Sequence, residues 1–266
     1  MGLRISALGS GSTGNCIYIE SDSTSLLLDA GLSGKKIQEN LQKIGKNIDG
    51  IHTLFISHEH IDHIRSAGVL NRKFNTKVCG NQATLNSDYF LITTKRENEN
   101  DIYYLEPNQT DYFGDIEVTA FKTSHDTANS QFYVFKHQNK RIACLSDTGC
   151  VTDEMKEYLR DCEIYFFEAN HDVEMLKRGT RPESNKKRIL SDVGHLSNEC
   201  SAEALKQIIT RKTHTIVLTH ISHDHNRPEL AKSVMIEHLK SYNPDCLSYL
   251  NLLSADAYEP TPLLEA

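Results

Sequence analysis

Residues 58–63 read His58-Glu59-His60-Ile61-Asp62-His63, directly after the apolar run Thr53-Leu54-Phe55-Ile56-Ser57. The run has the length and β-branched, aromatic character of a short buried strand. The segment behind it packs four ligand-type side chains into six positions. In a loop leaving a strand, His58 and His60 can point one way while Asp62 and His63 point the other. One segment can therefore serve two neighbouring cations. Imidazole with carboxylate suits zinc, manganese or iron rather than calcium.

Further polar residues end other apolar runs. Asp29 closes Leu26-Leu27-Leu28, and His125 follows the strand through Phe121. Asp147 follows Ala143-Cys144-Leu145-Ser146, and His220 follows Ile216-Val217-Leu218-Thr219. Ligands gathered from the carboxyl ends of several buried strands are how layered folds assemble a site.

The rest of the chain alternates in the same way. Ile5 to Leu8 reads as a first strand that stops at the Gly9-Ser10-Gly11-Ser12-Thr13-Gly14-Asn15 turn. Cys16 to Glu20 and Leu26 to Leu28 form a hairpin pair. Ser33 caps a helix carrying Ile37, Leu41 and Ile44, stopped by Gly45. Strands are expected at 116–121, 131–137, 141–145, 164–167 and 215–218. Helices are expected at 153–160, around Ala202, Leu205 and Ile209, and from Pro228 onward, proline being favoured at a first helical position. Ser87 to Thr110 is polar and poorly periodic and reads as a loop-rich excursion. The alternation predicts a layered α/β sandwich with helices on its outer faces, in a single domain spanning 1–266.

Composition sets the boundaries. The chain has 266 residues, 38% hydrophobic and 24% charged, with a net charge of −7. That charge argues against a protein that coats nucleic acid nonspecifically. It does not exclude a nuclease, whose metals supply local positive charge. No run reaches the roughly 18 apolar residues of a membrane span. Met1-Gly2-Leu3-Arg4-Ile5-Ser6 lacks the features of an export signal, and its match to an N-myristoylation pattern competes with a strand at Leu3 to Leu8. Seven scattered cysteines, none spaced Cys-x-x-Cys, read as buried thiols in a reducing, cytoplasmic compartment.

The order Leu-Leu-Leu-Asp-Ala-Gly (26–31), His-x-His-x-Asp-His (58–63), Ser-His-Asp (124–126), Ser-Asp-Thr-Gly (146–149) and Leu-Thr-His (218–220) resembles the metallo-β-lactamase superfamily over nearly the whole chain. The opening Gly-Ser-Gly-Ser-Thr-Gly-Asn-Cys (9–16) and the later Val-Gly-His-Leu-Ser-Asn (193–198) are similar to its YycJ/WalJ/VicX branch. The resemblance implies an αββα sandwich of two mixed sheets. By position it implies one metal on His58, His60 and His125 and a second on Asp62, His63 and His220. Asp147 would be shared by both, and Asp29 would stand behind them, orienting a ligand. The metals would be Zn2+ or Mn2+.

Two such cations, at roughly 3.5–4 Å, can share a hydroxide and grip the oxygen that gains charge. Lactams, thioesters and phosphodiesters all yield to that chemistry, and the fold alone does not choose. His195 in Gly194-His195-Leu196-Ser197, and Glu168 after Tyr165-Phe166-Phe167, resemble the histidine and glutamate that ribonuclease Z-like nucleases add. A phosphodiester needs such a group, because its leaving alkoxide must be protonated or stabilised. Asp62, His195 and Glu168 are thus the candidate catalytic set. A rival assignment exchanges His195 and His220, making His195 the ligand.

Between Glu168 and His195 lie Lys177, Arg178, Arg181, Lys186, Lys187 and Arg188, against Glu183 alone within 177–188. That local excess reads either as a contact with nucleic-acid backbone or as a solvated face. His223 and Asn226 are further candidates for touching substrate. Only 22 positions separate His125 from Asp147, too few for the tRNA-gripping arm of ribonuclease Z enzymes. The branch resemblance implies a 5′-to-3′ exonuclease on DNA. Two other readings stay open: a hydrolase of small thioesters, lactones or cyclic nucleotides, and a non-catalytic metal-binding regulator. Oligomeric state is not legible.

Overall fold

In the computed structural model, which describes residues 2–95 and 99–266, the apolar runs pair into strands. In chain order they are β1 (Arg4–Gly9), β2 (Cys16–Glu20), β3 (Ser25–Leu28), β4 (Thr53–Phe55), β5 (Lys77–Gly80), β6 (Ile102–Tyr104) and β7 (Thr110–Phe113). They continue as β8 (Ile116–Lys122), β9 (Gln131–His137), β10 (Lys140–Leu145), β11 (Ile164–Glu168), β12 (Thr215–Thr219), β13 (Asn251–Ser254) and β14 (Leu264–Glu265). The chain forms two compact units. One comprises Met1–Lys122, Thr127–Lys140 and Ala255–Ala266; the other comprises Thr123–Asp126 and Arg141–Ser254.

In the first unit the sheet order is β14-β1-β2-β3-β4-β5-β6. β1, β2 and β3 are antiparallel, while β3 to β6 run parallel. Leu28 pairs with Phe55 and Phe55 with Cys79, so β3 and β4 end level and β5 runs one residue further. Asp29 and the His58 segment therefore leave the sheet at one edge. The helix Gly34–Lys43 begins where Ser33 accepts the Lys36 N–H, and Gly45 ends it at φ 73°. Its Ile37 and Leu41 join a core with Leu8, Leu27, Leu54 and Ile56. An antiparallel meander β7-β8-β9 completes this unit.

In the second unit β10, β11, β12 and β13 are parallel neighbours. Ile164 to Glu168 is buried at every position, the pattern of a strand covered on both faces. Leu145 pairs with Phe167, and Phe167 with Leu218. Asp147, Glu168 and His220 thus emerge together. The helices Asn198–Ile208 and Pro228–Tyr242 pack on each other.

The stretch from Ser87 to Thr110 departs from expectation. Ser87 caps a helix, Asp88–Thr94, and β6 follows at 102–104. Only Phe90 and Thr94 of that helix are buried, so its apolar stripe is too narrow to stand out. β6 is an edge strand with Tyr103 and Tyr104 exposed, which removes the alternation a half-buried strand shows. Residues 96–98 of that stretch, and Met1, lie outside the described residues. The basic run 177–188 likewise falls in two short helices, Val173–Arg178 and Glu183–Ile189. All seven cysteines are free thiols. Among the described residues no helix is long and apolar enough to cross a membrane.

Candidate metal centre

The first unit holds His58, His60, Asp62 and His63, with Asp29 behind them. Ser57 N–H and Oγ donate to the two Asp29 oxygens at 2.8 Å each. That spends the Ser57 proton, so its oxygen accepts from His58 Nδ1 at 3.0 Å. His63 Nδ1–H donates to Asp29 Oδ2 at 2.7 Å. Both imidazoles thus carry hydrogen on Nδ1 and keep the Nε2 lone pair, the tautomer a metal ligand needs. His58 Nε2 lies 3.1 Å from His60 Nδ1. Two nitrogens ~2.1 Å from one tetrahedral zinc would sit roughly 3.4 Å apart. The donor set fits a cation.

Neither Ser57 nor Asn15 stood out in the sequence. Asn15 bonds His63 Nε2 at 3.1 Å through its side chain and the Asp62 carbonyl at 2.8 Å through its N–H. Its signal was there, in an asparagine closing a glycine-rich turn. Gly31 is required next to it. A β-carbon at Gly31 would fall 1.6 Å from the Asp62 carbonyl oxygen. Gly31→Ala is therefore expected to cost about 1–3 kcal/mol through overpacking and to weaken metal binding by pushing Asp62 and His63 aside. Thermal unfolding and metal titration would check this, and unchanged metal affinity would count against it.

The second unit brings Asp147, Glu168, His195 and His220 together, each offering a ligand atom within 4.8 Å of the others. Glu168 is fully buried. Its Oε1 accepts from His195 Nδ1 at 2.7 Å and His220 Nδ1 at 3.2 Å, and its Oε2 accepts from the Thr148 N–H at 3.0 Å. Asp147 Oδ1 lies 2.8 Å from His220 Nδ1 and 3.4 Å from His195 Nδ1. Burial opposes the Glu168 charge, yet His195 brings the Glu168 pKa down to about 2. Burial likewise opposes a charged His220, whose pKa the Asp147 and Glu168 carboxylates push up to about 10. Two buried carboxylates side by side draw positive charge, as a metal site must. His195 is the more open imidazole, with 14% of its side chain exposed against 4% for His220.

His125 sits in this unit too, its Nδ1 donating to the Gly194 carbonyl at 3.0 Å, which again leaves the Nε2 lone pair unprotonated. Gly194 is hemmed in, since a β-carbon there would lie 2.2 Å from the Ile189 carbonyl. Asp29, Asp147 and His220 adopt left-handed backbone at φ 60°, 53° and 51°. Such conformations cost non-glycine residues about 1–3 kcal/mol and cluster at functional sites.

Of the expected substrate contacts, His223 is fully exposed. Asn226 is not: it is 2% exposed. Its amide donates to Asn198 at 2.8 Å and to the Ala169 carbonyl at 2.9 Å, and it accepts from Asn198 at 3.0 Å and the Arg227 N–H at 2.9 Å. A saturated, buried amide cannot reach a phosphate, which corrects that expectation. Asn226 instead ties the segments after β11 and β12 to the one carrying His195. The basic residues are mostly engaged. Lys177 and Arg178 meet Glu174, Arg181 meets Asp224, buried Lys186 meets Glu183, and Arg188 grips Asp126 with both arms of its guanidinium. Lys187 is exposed and makes no ion pair among the described residues.

Comparison with known proteins follows the same lines. The model of the β-lactamase superfamily domain matches residues 24–221. Exodeoxyribonuclease YycJ of Bacillus anthracis is 44% identical over 232 residues, 87% of each chain. Exodeoxyribonuclease WalJ of Streptococcus pneumoniae serotype 2 (strain D39) is 41% identical over 243 residues, 90% of this chain and 89% of that one. Among solved structures, the metallo-β-lactamase fold protein YhfI of Bacillus subtilis superposes with a TM-score of 0.73 over 100% of both chains at 14% identity. The short form of human tRNase Z gives 0.66 over 97% of this chain and 98% of that one at 15% identity. The fold is the α/β sandwich of the metallo-β-lactamase proteins, two mixed sheets with helices. The chain belongs to the β-lactamase superfamily, in its YycJ/WalJ branch.

Proposed function

We propose that this protein is a metal-dependent phosphodiesterase that removes nucleotides from DNA in the 5′-to-3′ direction. The observation that carries the reading is the buried Glu168 holding His195 at 2.7 Å beside Asp147 and His220. Its relatives' names as exodeoxyribonucleases point to the same substrate class.

The two units act as one domain, 1–266, in this reading. His58, His60 and His125 would hold one divalent cation, and Asp62, His63 and His220 would hold the other, with Asp147 available to both and Asp29 fixing His63. Family membership and the tautomers set by Asp29, Ser57 and Gly194 support this assignment. Zn2+ and Mn2+ both suit the donors. When bound, the cations supply an activated water at neutral pH and positive charge opposite the phosphate. The chain's own residues do the rest. Glu168 accepts a hydrogen bond from His195 Nδ1–H, which aims Nε2–H outward; the imidazolium delivers that Nε2 proton to the leaving oxygen and is left as neutral imidazole, still bonded to Glu168 through Nδ1. Asp62 counts with them because it carries charge next to His63, at 3.6 Å.

Exposed Lys177, Arg178 and Lys187, with Arg181, Arg188 and His223, are the expected backbone contacts. Buried Lys186 supports them by bonding the Lys177 carbonyl at 2.8 Å. Replacing the exposed basic residues in pairs should lower the slope of log K against log salt by roughly 0.9 per lost phosphate contact on duplex DNA. Unchanged slopes would make the run a solvated face. Seven free thiols suit a reducing compartment, so the reading places the protein in the cytoplasm.

The discriminating experiment is a substrate panel of 5′-labelled duplex DNA, a dinucleotide ester and a thioester. Release of labelled mononucleotide from the DNA is expected, with little turnover of the thioester. Fast thioester cleavage and inert DNA would favour the small-substrate reading, and no turnover at all would favour a regulator.

A further inference from the structure

A cavity of about 590 Å³ opens in the first unit, within the roughly 300–1,000 Å³ common for small-molecule sites. Leu26, Thr53 and Lys77 line it, near the amino ends of β3, β4 and β5. The His58 segment leaves the other end of β4. The cavity therefore belongs to none of the chemistry described so far.

Its walls are unusual in being both aromatic and held still. Tyr112 is 65% exposed, yet its hydroxyl donates to Glu117 at 2.9 Å, and Glu117 is held in turn by Lys136 at 3.1 Å. Tyr103 is 41% exposed and its hydroxyl donates to Asp111. The Tyr103 ring meets Phe113 edge-on at 5.3 Å, and Phe113 meets buried Phe55 at 4.7 Å. Exposed tyrosines usually swing freely. Rings anchored at both ends lose little entropy when something flat lies on them.

Asp111 is occupied by Tyr103 and Thr24 by Asp115, but other polar groups of the lining are unspent. Lys77 makes no ion pair or side-chain hydrogen bond among the described residues, and neither does His52 beside it. Asp49, also in the lining, makes no ion pair there either. A planar ring for the tyrosines, a phosphate for Lys77 and His52, and an amino group for Asp49 together describe one ligand class. We propose that this cavity binds a nucleotide unit carrying an amino-bearing base, stacked on Tyr112 with its phosphate at Lys77. The choice of a nucleotide over other flat anions rests on the nuclease reading above. The unit can be a released mononucleotide or part of a strand.

Calorimetry on the full chain in EDTA, where no DNA is cut, tests this with dAMP, deoxyadenosine, inorganic phosphate and a tetradeoxyadenylate. One saturable dAMP site is expected, with deoxyadenosine and phosphate each bound much more weakly. Tyr112→Leu and Lys77→Gln should each weaken dAMP roughly tenfold, within the range for losing one stacked base. Both variants should hydrolyse a p-nitrophenyl phosphodiester at the parent rate. Tetradeoxyadenylate bound tighter than dAMP would assign the site to a strand; equal affinity would assign it to the released product. Absence of dAMP binding, or binding that survives both substitutions, would overturn the site. DNA hydrolysis measured on the same protein resupplied with Zn2+ or Mn2+ keeps the two readings apart. Binding lost in the variants of a parent that cuts no DNA would overturn the nuclease reading and leave the site standing.

Discussion

His195→Ala should keep its metals and lose turnover of an unactivated phosphodiester by roughly 10²–10⁴, the usual contribution of a positioned general acid. The expectation follows from how the imidazole is held. Glu168 Oε1 receives Nδ1 at 2.7 Å, so the opposite nitrogen is the one that faces outward, on a side chain 14% exposed. Alanine removes the proposed proton donor and leaves Asp147 and His220 paired at 2.8 Å. An activated leaving group such as p-nitrophenolate needs no proton and should recover much of the lost rate. Glu168→Gln should show a smaller loss in the same direction. The double variant should be little worse than His195→Ala, because the pair acts as a unit. The exchanged assignment gives the opposite pattern, with metal lost from His195→Ala and kept in His220→Ala. Elemental analysis of those two proteins separates the schemes.

Much of this was legible because strand ends are legible. Asp29, Asp147 and His220 each close an apolar run, and level registers such as Leu28 with Phe55 turn that position in sequence into a shared edge. The helices with caps and wide apolar stripes were also readable, as at Ser33 with Ile37 and Leu41. What escaped depends on partners distant in sequence. Asn226 looked available for a phosphate, because nothing near it announces Asn198 or the Ala169 carbonyl. The basic run looked like one charged patch, whereas Arg188 is paired with Asp126, 62 residues away. Ser57 read as the last residue of a strand, yet its one hydroxyl proton decides the His58 tautomer. Hydrogen bonds of this kind carry no periodicity, and only the folded chain reveals them.

Asp147→Ala is expected to strip both metals at once, since one carboxylate is proposed to serve the two. Asp147 is 2% exposed, its Oδ2 receives the Ser146 hydroxyl at 3.0 Å, and its Oδ1 lies 2.8 Å from His220 Nδ1. Removing it leaves Glu168 as the second unit's remaining carboxylate in that cluster. Backbone complicates the comparison, because position 147 sits at φ 53°. Alanine in that conformation costs roughly 1–2 kcal/mol on its own account. Asparagine tolerates left-handed backbone and keeps the shape while losing the charge. If charge decides, Asp147→Asn and Asp147→Ala should be equally short of metal, with asparagine the more stable of the two on melting. If backbone decides, Asp147→Asn should retain both ions. His60→Ala supplies the contrast, since His60 is proposed to serve one ion alone and its loss should leave the site half filled. Two ions per chain surviving in Asp147→Ala, counted by elemental analysis after gel filtration, would remove Asp147 from the bridging position.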